Sequence, residues 1–461
     1  MLSKEILRML VAVVGEERCK TTVEDLVTYS YDAYLQEFLP DVVLFPKTTG
    51  EVSRIMTIAS THDISVTPRG SGTCMTAGSL AKKGGIILCF SMMNRILEIN
   101  AADRYAVLEP GVVVAELQKA ADGLNLFYPP DPGSVAVATI AGTVMTNAGG
   151  MRGIKYGVTR DYLLGLEVVL PSGEVMKTGT VTCKDVAGYD LTRLICGSEG
   201  TLALVTKVTV RLLPKPKAKR TLEAVYDRIE DAGTTVARIF EAGIIPATLE
   251  LMEKTVIKAV EDFAHMGLPV DAEAILLIDV DGDPESVEKQ SVQVAEFCRK
   301  YGAREVHLSS SDRENEQLWT ARRSVAGAMG RVRPTCIVED STVPVSFLTA
   351  AIKKIREAGE RHNVQTAVLA HAGDGNFHPF FLCDQRDEEE MKRVELAKHE
   401  LVDYVLSVGG TVSGEHGIGI YKAKYLPRQL GPVSLNVMRS VKNSFDPKGI
   451  LNPGSFLEHA V

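Results

Sequence analysis

The chain has 461 residues, 45% of them hydrophobic and 24% charged, with 59 acidic against 51 basic side chains for a net charge of −8. That length exceeds one ordinary core and sets two domains as the starting expectation, and the acidic balance argues against nucleic acid, which wants a basic surface. No apolar run approaches the roughly 18 residues of a membrane span, and the start Met1-Leu2-Ser3-Lys4-Glu5 lacks the basic and apolar regions of an export signal, so the cytoplasm is the expected compartment.

In chain order, residues 1–37 read as a helical preface, with Ile6, Met9, Leu10 and Val13 at helical spacing. Val42-Val43-Leu44-Phe45 is a strand candidate. Thr48 and Glu51 are spaced as a capping box for a helix whose buried stripe is Val52, Ile55, Met56 and Ala59. The next strand, Ile64-Ser65-Val66-Thr67, runs straight into Pro68-Arg69-Gly70-Ser71-Gly72-Thr73. Strands near 85–90 and 105–109, a helix near 113–122 and a glycine-rich region at 133–157 follow. Leu166 to Leu170, the turn Pro171-Ser172-Gly173 and Val175-Met176 read as a hairpin, and a strand near 202–213 ends at Pro214-Lys215-Pro216-Lys217, the best linker candidate. Beyond it, strands near 221–226, 247–252, 274–280, 303–308 and 366–371 alternate with amphipathic helices near 229–242, 284–300 and 345–361, an α+β or α/β pattern. No two of the eight cysteines stand at CxxC spacing, which argues against a zinc ribbon, a thioredoxin-type motif or an iron–sulfur cluster.

Glycine turns recur where strands end. At Arg69–Thr73 they let amide N–H groups approach a phosphate closely, yet the third glycine of a GxGxxG fingerprint is absent and no P-loop is present, which disfavours a nicotinamide-dependent dehydrogenase. Asp131-Pro132-Gly133-Ser134, Ile140-Ala141-Gly142-Thr143, Asn147-Ala148-Gly149-Gly150 and Gly197-Ser198-Glu199-Gly200-Thr201 continue the series. Any one of them reads as a tight turn; together they suggest a backbone shaped around a long ligand.

Two histidine motifs lie near the end, His371-Ala372-Gly373-Asp374-Gly375-Asn376-Phe377-His378 and Ser413-Gly414-Glu415-His416-Gly417-Ile418-Gly419. Imidazole and carboxylate suit zinc, iron or manganese. Spacing alone leaves two readings open, a metal set or turn and strand residues bonded to backbone.

Taken together, these segments and Lys155-Tyr156-Gly157 resemble the FAD-binding domain of the vanillyl-alcohol oxidase and para-cresol methylhydroxylase superfamily. The C-terminal half resembles that of the glycolate oxidase FAD subunit and FAD-linked D-lactate dehydrogenases. The resemblance covers about residues 38 to 457. It implies an α+β fold: a two-subdomain FAD-binding domain at 38–217 and an α+β substrate (cap) domain at 218–461, whose last residues return to the flavin.

It also implies site residues. Arg69, Gly70, Ser71, Gly72 and Thr73 would bind the pyrophosphate, with Cys74 departing from the usual Ser or Thr. Ser134, Ala141, Gly142, Thr143, Asn147 and Gly150 would wrap the ribityl and flavin region; Glu199, Gly200 and Val205 would lie on its far side, and Asn452 close to the ring. No histidine lies between residues 62 and 265, so FAD is expected to be non-covalent. His371, His378 and Glu415 match the metal ligands of metal-dependent members, His416 the general base, and Arg322, in a helix-like stretch, the arginine that binds the substrate carboxylate. Lys422 matches a lysine that helps hold the anion or the flavin. Ala326 and Val338 replace a threonine and a lysine of relatives acting on D-2-hydroxyglutarate, implying a smaller substrate such as D-lactate or glycolate. Lacking cluster-binding cysteines, the chain would pass electrons to a partner, an iron–sulfur subunit or an electron-transfer flavoprotein, and would reach a membrane only through it. The competing reading is a non-catalytic electron-transfer or scaffold subunit; the intact histidine motifs argue against it.

Overall fold

In the computed structural model, which describes residues 2–34 and 36–460, uninterrupted apolar runs mark the first sheet. Strands β1 (Cys19–Lys20), β2 (Val42–Leu44), β3 (Val66–Arg69) and β4 (Ile86–Cys89) lie in the order β1-β2-β4-β3, with β2 and β3 each parallel to β4. Val42, Val43, Leu44, Ile86, Ile87 and Leu88 are fully buried, as parallel strands covered on both faces require. Helices Lys4–Val14 and Thr49–Thr61 pack Leu10, Val14, Val52, Ile55, Met56 and Ala59 into one core with this sheet. The capping box forms only in part. Thr48 Oγ1 accepts the Glu51 N–H at 3.1 Å, but the Glu51 carboxylate is drawn to the Arg18 guanidinium and the Lys47 N–H instead of the Thr48 amide.

An antiparallel sheet follows in the same unit. It comprises β5 (Ile96–Asn100), β6 (Tyr105–Leu108), β8 (Leu163–Val169), β9 (Val175–Gly179) and β10 (Leu204–Arg211) in the order β5-β6-β10-β8-β9, and β7 (Leu126–Phe127) pairs separately with β11 (Leu213–Pro214). No residue of β5 is buried, so its sequence carries no alternation to read. Ile140–Thr143, expected as a turn, instead opens the helix Ile140–Thr146, which Asn147 ends in the left-handed conformation at φ 51°. This unit takes in the chain up to Gly149, Val158–Lys215 and the chain from Glu415 onward.

The second unit comprises Gly150–Gly157 and Pro216–Gly414. Its strands are β12 (Ala218–Tyr226), β13 (Thr248–Glu253), β14 (Ala274–Gly282), β15 (Ala303–Leu308), β16 (Thr335–Val338), β17 (Ser341–Thr342), β18 (Gln365–His371) and β19 (Asn376–Cys383). They form one antiparallel sheet in the order β15-β12-β14-β13-β18-β19-β16, with β17 also against β19. Helices Lys254–Ala264, Asp312–Arg323 and Val325–Val332 bury Val256, Val260, Trp319, Ala328 and Met329 with Met252, Leu277, Leu369 and Phe380 of the sheet. The short helix Gly153–Tyr156 belongs here because Asp281 of β14 takes the Lys155 ammonium and accepts the Tyr156 hydroxyl at 2.7 Å. Strand register sets Glu250 opposite His371, and His371 opposite Asn376, in one polar row across β13, β18 and β19. Among the described residues no helix is long and apolar enough to cross a membrane.

Candidate active site

In the first unit, β3 delivers Arg69 to the start of the glycine loop. Arg69 is buried; its Nη2 donates to the Tyr31 carbonyl at 2.8 Å and its guanidinium lies 5.7 Å from the Tyr29 ring centroid. Its Nη1 is buried without a hydrogen-bond partner. Such an orphaned donor costs on the order of 1–3 kcal/mol, and an anion at the loop relieves that cost. Gly72, at φ 77°, folds the loop over the arginine so closely that a Cβ there would stand 2.2 Å from Nη2. Ser71 is exposed and Thr73 half-buried, whereas Cys74 turns its sulfur to the Gly78 N–H at 3.2 Å. Gly200, at φ 69°, packs on Pro68, where a Cβ would come within 2.4 Å of the ring, so the two glycine loops are neighbours. The orphaned cation and the tight glycine loop suit the pyrophosphate of a dinucleotide.

Other expected cofactor residues divide by role. Ser134, Ala141 and Gly142 are half-buried and open to a ligand, while Thr143 donates its hydroxyl to the Ile140 carbonyl at 2.9 Å and Val205 is a buried residue of β10. Asn147 Oδ1 accepts the Arg160 N–H at 3.0 Å. Gly150 belongs to the second unit.

Glu199 also ties two segments of its unit together. Its carboxylate accepts the Ile418 and Gly419 N–H groups at 2.6 and 2.8 Å, clamping the turn that carries His416. Burial pushes the Glu199 carboxyl up from its ordinary value, against the pull of those amides and of Lys82 and Lys422. Asn452, at φ 46°, is likewise a tie: both amide hydrogens are donated, to Gly78 and Glu199 carbonyls at 2.9 and 2.7 Å, and Oδ1 accepts Lys82. His416 is half-buried, its carbonyl 3.4 Å from Thr76 Oγ1 and its Nε2 3.9 Å from a Glu415 oxygen. Glu415 stands against Gly149, where a Cβ would approach the carboxylate to 2.8 Å. Lys422 is buried in this unit.

In the second unit, His371 and His378 are buried and their Nε2 atoms lie 3.3 Å apart. That is close to the edge of a tetrahedron around an ion with about 2.0–2.1 Å bonds to nitrogen. The partner that organises them is Glu250, which sequence reasoning missed. One carboxylate oxygen lies 2.5 Å from His371 Nδ1 and the other accepts Arg322 Nε at 2.7 Å. Burial opposes the charge, but His371 and Arg322 outweigh it and hold the Glu250 carboxyl below its ordinary value. The signal was a carboxylate inside an apolar strand run, Thr248-Leu249-Glu250-Leu251-Met252. The Nη atoms of Arg322 have no hydrogen-bond partner among the described residues, leaving a planar fork for a ligand. Ala326 is exposed, and Val338 packs at the edge of the apolar cluster.

Asp340, fully buried, was also missed. It accepts Asn376 Nδ2 at 2.6 Å, the Ser413 hydroxyl at 2.8 Å and the Gly414 N–H at 2.9 Å. Gly414 is pressed so tightly on Asn376 that a Cβ would meet its Nδ2 at 2.3 Å. Asn376 and His378 point to the same face of β19, so Gly414, the last residue of this unit, packs on the face that carries His378. Asp340→Ala removes a buried acceptor shared by three donors, and we expect it to lower stability by about 2 kcal/mol. A thermal melt that matches wild type would refute that role.

Comparison with known proteins places this geometry in context. Residues 215–456 match the family described as FAD linked oxidases, C-terminal domain, and residues 40–179 match the FAD binding domain family. The glycolate oxidase subunit GlcD of Bacillus subtilis (strain 168) is 44% identical over 98% of this chain and 97% of its own length. A D-lactate dehydrogenase of Anaerostipes hadrus is 33% identical over 96% of this chain and 94% of its own. The crystal structure of p-cresol methylhydroxylase with substrate bound superposes with a TM-score of 0.80 at 18% identity, covering 98% of this chain and 96% of that one. At that identity the likeness speaks for the fold.

Proposed function

This chain belongs to the FAD-linked oxidases, and on that footing we propose that it oxidises a small D-2-hydroxy acid, D-lactate or glycolate, to the 2-oxo acid. The observation that carries the reading is Arg322: its Nε is pinned by Glu250 while its Nη fork is left to a ligand, the arrangement that recognises a carboxylate in bidentate fashion. Ala326 and Val338 offer no hydrogen bond to a second, distal carboxylate, which favours a short acid. The names of two relatives, glycolate oxidase subunit and D-lactate dehydrogenase, are in keeping with those two substrates.

In this reading the loops around Arg69–Thr73, Ser134, Ala141–Gly142, Asn147 and Gly200 would hold FAD without a covalent bond. Bound FAD supplies the acceptor for the substrate's α-hydrogen and its two electrons. His371, His378 and Glu415 would hold a divalent ion, zinc, iron or manganese, whose charge would lower the pKa of the substrate hydroxyl. His416 takes the hydroxyl proton, an imidazole having the right intrinsic pKa near neutrality. Arg322 fixes the carboxylate, and Lys422 adds positive charge for the anion. Electrons leave the reduced protein for a partner redox carrier, an iron–sulfur subunit or an electron-transfer flavoprotein; the word subunit in the first relative's name favours such a partner.

Anaerobic addition of D-lactate or glycolate to the purified protein is expected to bleach the flavin bands, with L-lactate ineffective. A flavin that neither acid reduces would overturn the reading. Acid precipitation is expected to release FAD into the supernatant; yellow colour held in the pellet would show a covalent bond instead.

A further inference from the structure

We propose that Glu250 is a positioning residue that couples the substrate anchor to the metal-ligating histidine, an inference that rests on the reading above. Glu250 is 1% exposed in the middle of β13, and its inward neighbours along and across the sheet, Met252, Leu277 and Leu369, are apolar. A carboxylate placed there is costly to bury, and a cross-strand tie for its own sake needs no charge. Its two oxygens serve two different groups. The register of β13 against β18 brings one to His371 Nδ1 at 2.5 Å, and helix Asp312–Arg323 brings Arg322 Nε to the other at 2.7 Å.

Each contact fixes the working end of its partner. A carboxylate beside His371 Nδ1 holds the proton on that nitrogen, so the Nε2 lone pair faces His378 Nε2 at 3.3 Å. A carboxylate on Arg322 Nε holds the guanidinium plane, so the two Nη groups point together at one anion. One buried side chain thereby sets both the metal pair and the carboxylate fork, each through its own oxygen. The positions 250, 322 and 371 carry this coupling within a single unit of the fold.

The test compares wild type, Glu250→Gln and Arg322→Met after chelator stripping, with Zn2+ titrated against a competing chromophoric chelator and KM for D-lactate measured after reconstitution. FAD content reports the fold of the other unit. Glutamine keeps the shape but accepts through only one atom. It is expected to weaken Zn2+ binding by about 10–100-fold and to raise KM by roughly tenfold or more, the scale of a lost charged hydrogen bond. Arg322→Met is expected to raise KM and leave Zn2+ affinity unchanged. Should Glu250→Gln alone fail to retain FAD, the double variant with Arg322→Met leaves no buried charge unpaired and is expected to show the same loss of Zn2+ affinity. Wild-type Zn2+ affinity or wild-type KM in Glu250→Gln overturns the coupling. A wild-type protein that binds no Zn2+ sinks the metal reading itself, a result seen before any variant is made, and the coupling falls with it.

Discussion

His378→Ala is expected to remove bound metal and D-lactate turnover together, whereas His416→Ala is expected to lose turnover and keep the metal. The difference follows from where each imidazole stands. His378 Nε2 faces His371 Nε2 at 3.3 Å inside a buried pair, so its removal takes away half of the nitrogen donor set. His416 lies on a turn held by Glu199 and is only half-buried, and its proposed task is to receive a proton. General-base contributions are typically about 10²–10⁴-fold, so the His416 effect is read easily in a dye-linked assay, with elemental analysis run on the same samples. Active wild-type protein without stoichiometric metal, and indifferent to chelator, would remove the metal from the mechanism and leave His416 to act alone.

Arg322→Lys is expected to lower kcat/KM for D-lactate by roughly 10–100-fold, the cost of charge-assisted hydrogen bonds, with FAD content unchanged. A lysine keeps the positive charge, but its single ammonium has Glu250 as the nearest anion and would be spent on it. The guanidinium avoids this conflict because Nε can serve Glu250 while the Nη pair serves the substrate. Steady-state rates with D-lactate and glycolate check the prediction; a variant that matches wild type on both would remove Arg322 as the anchor.

Much of the local structure around the candidate site was legible in the sequence, for a local reason. Gly72 and Gly200 sit at φ 77° and 69° with no room for a side chain, and a glycine next to a strand records that need in the residue itself. Helix stripes such as Val52, Ile55, Met56 and Ala59 are equally local, because burial of one face imposes a period on the chain. The two histidine motifs announced donor chemistry by residue type alone. The weakly buried strand β5 escaped because it has no alternating face to display, and the helix Ile140–Thr146 because its buried stripe, Ile140, Thr143 and Val144, spans only two turns.

The sequence by itself thus determined the tight glycine loops, the donor types and most of the elements that carry them. Only the tertiary structure decided who partners whom. Glu250 meets His371 across 121 residues of chain and Arg322 across 72, while Glu199 meets the amides of residues 418 and 419 across 219 and 220. Those pairings depend on strand register and on which segments share a unit. Asp281, for example, pulls Lys155 and Tyr156 into the second unit, and the chain from Glu415 onward belongs to the first. A hydrogen bond is satisfied by any suitable group at the right distance and angle, so a residue's own neighbourhood in sequence leaves its distant partner open until the sheet is assembled.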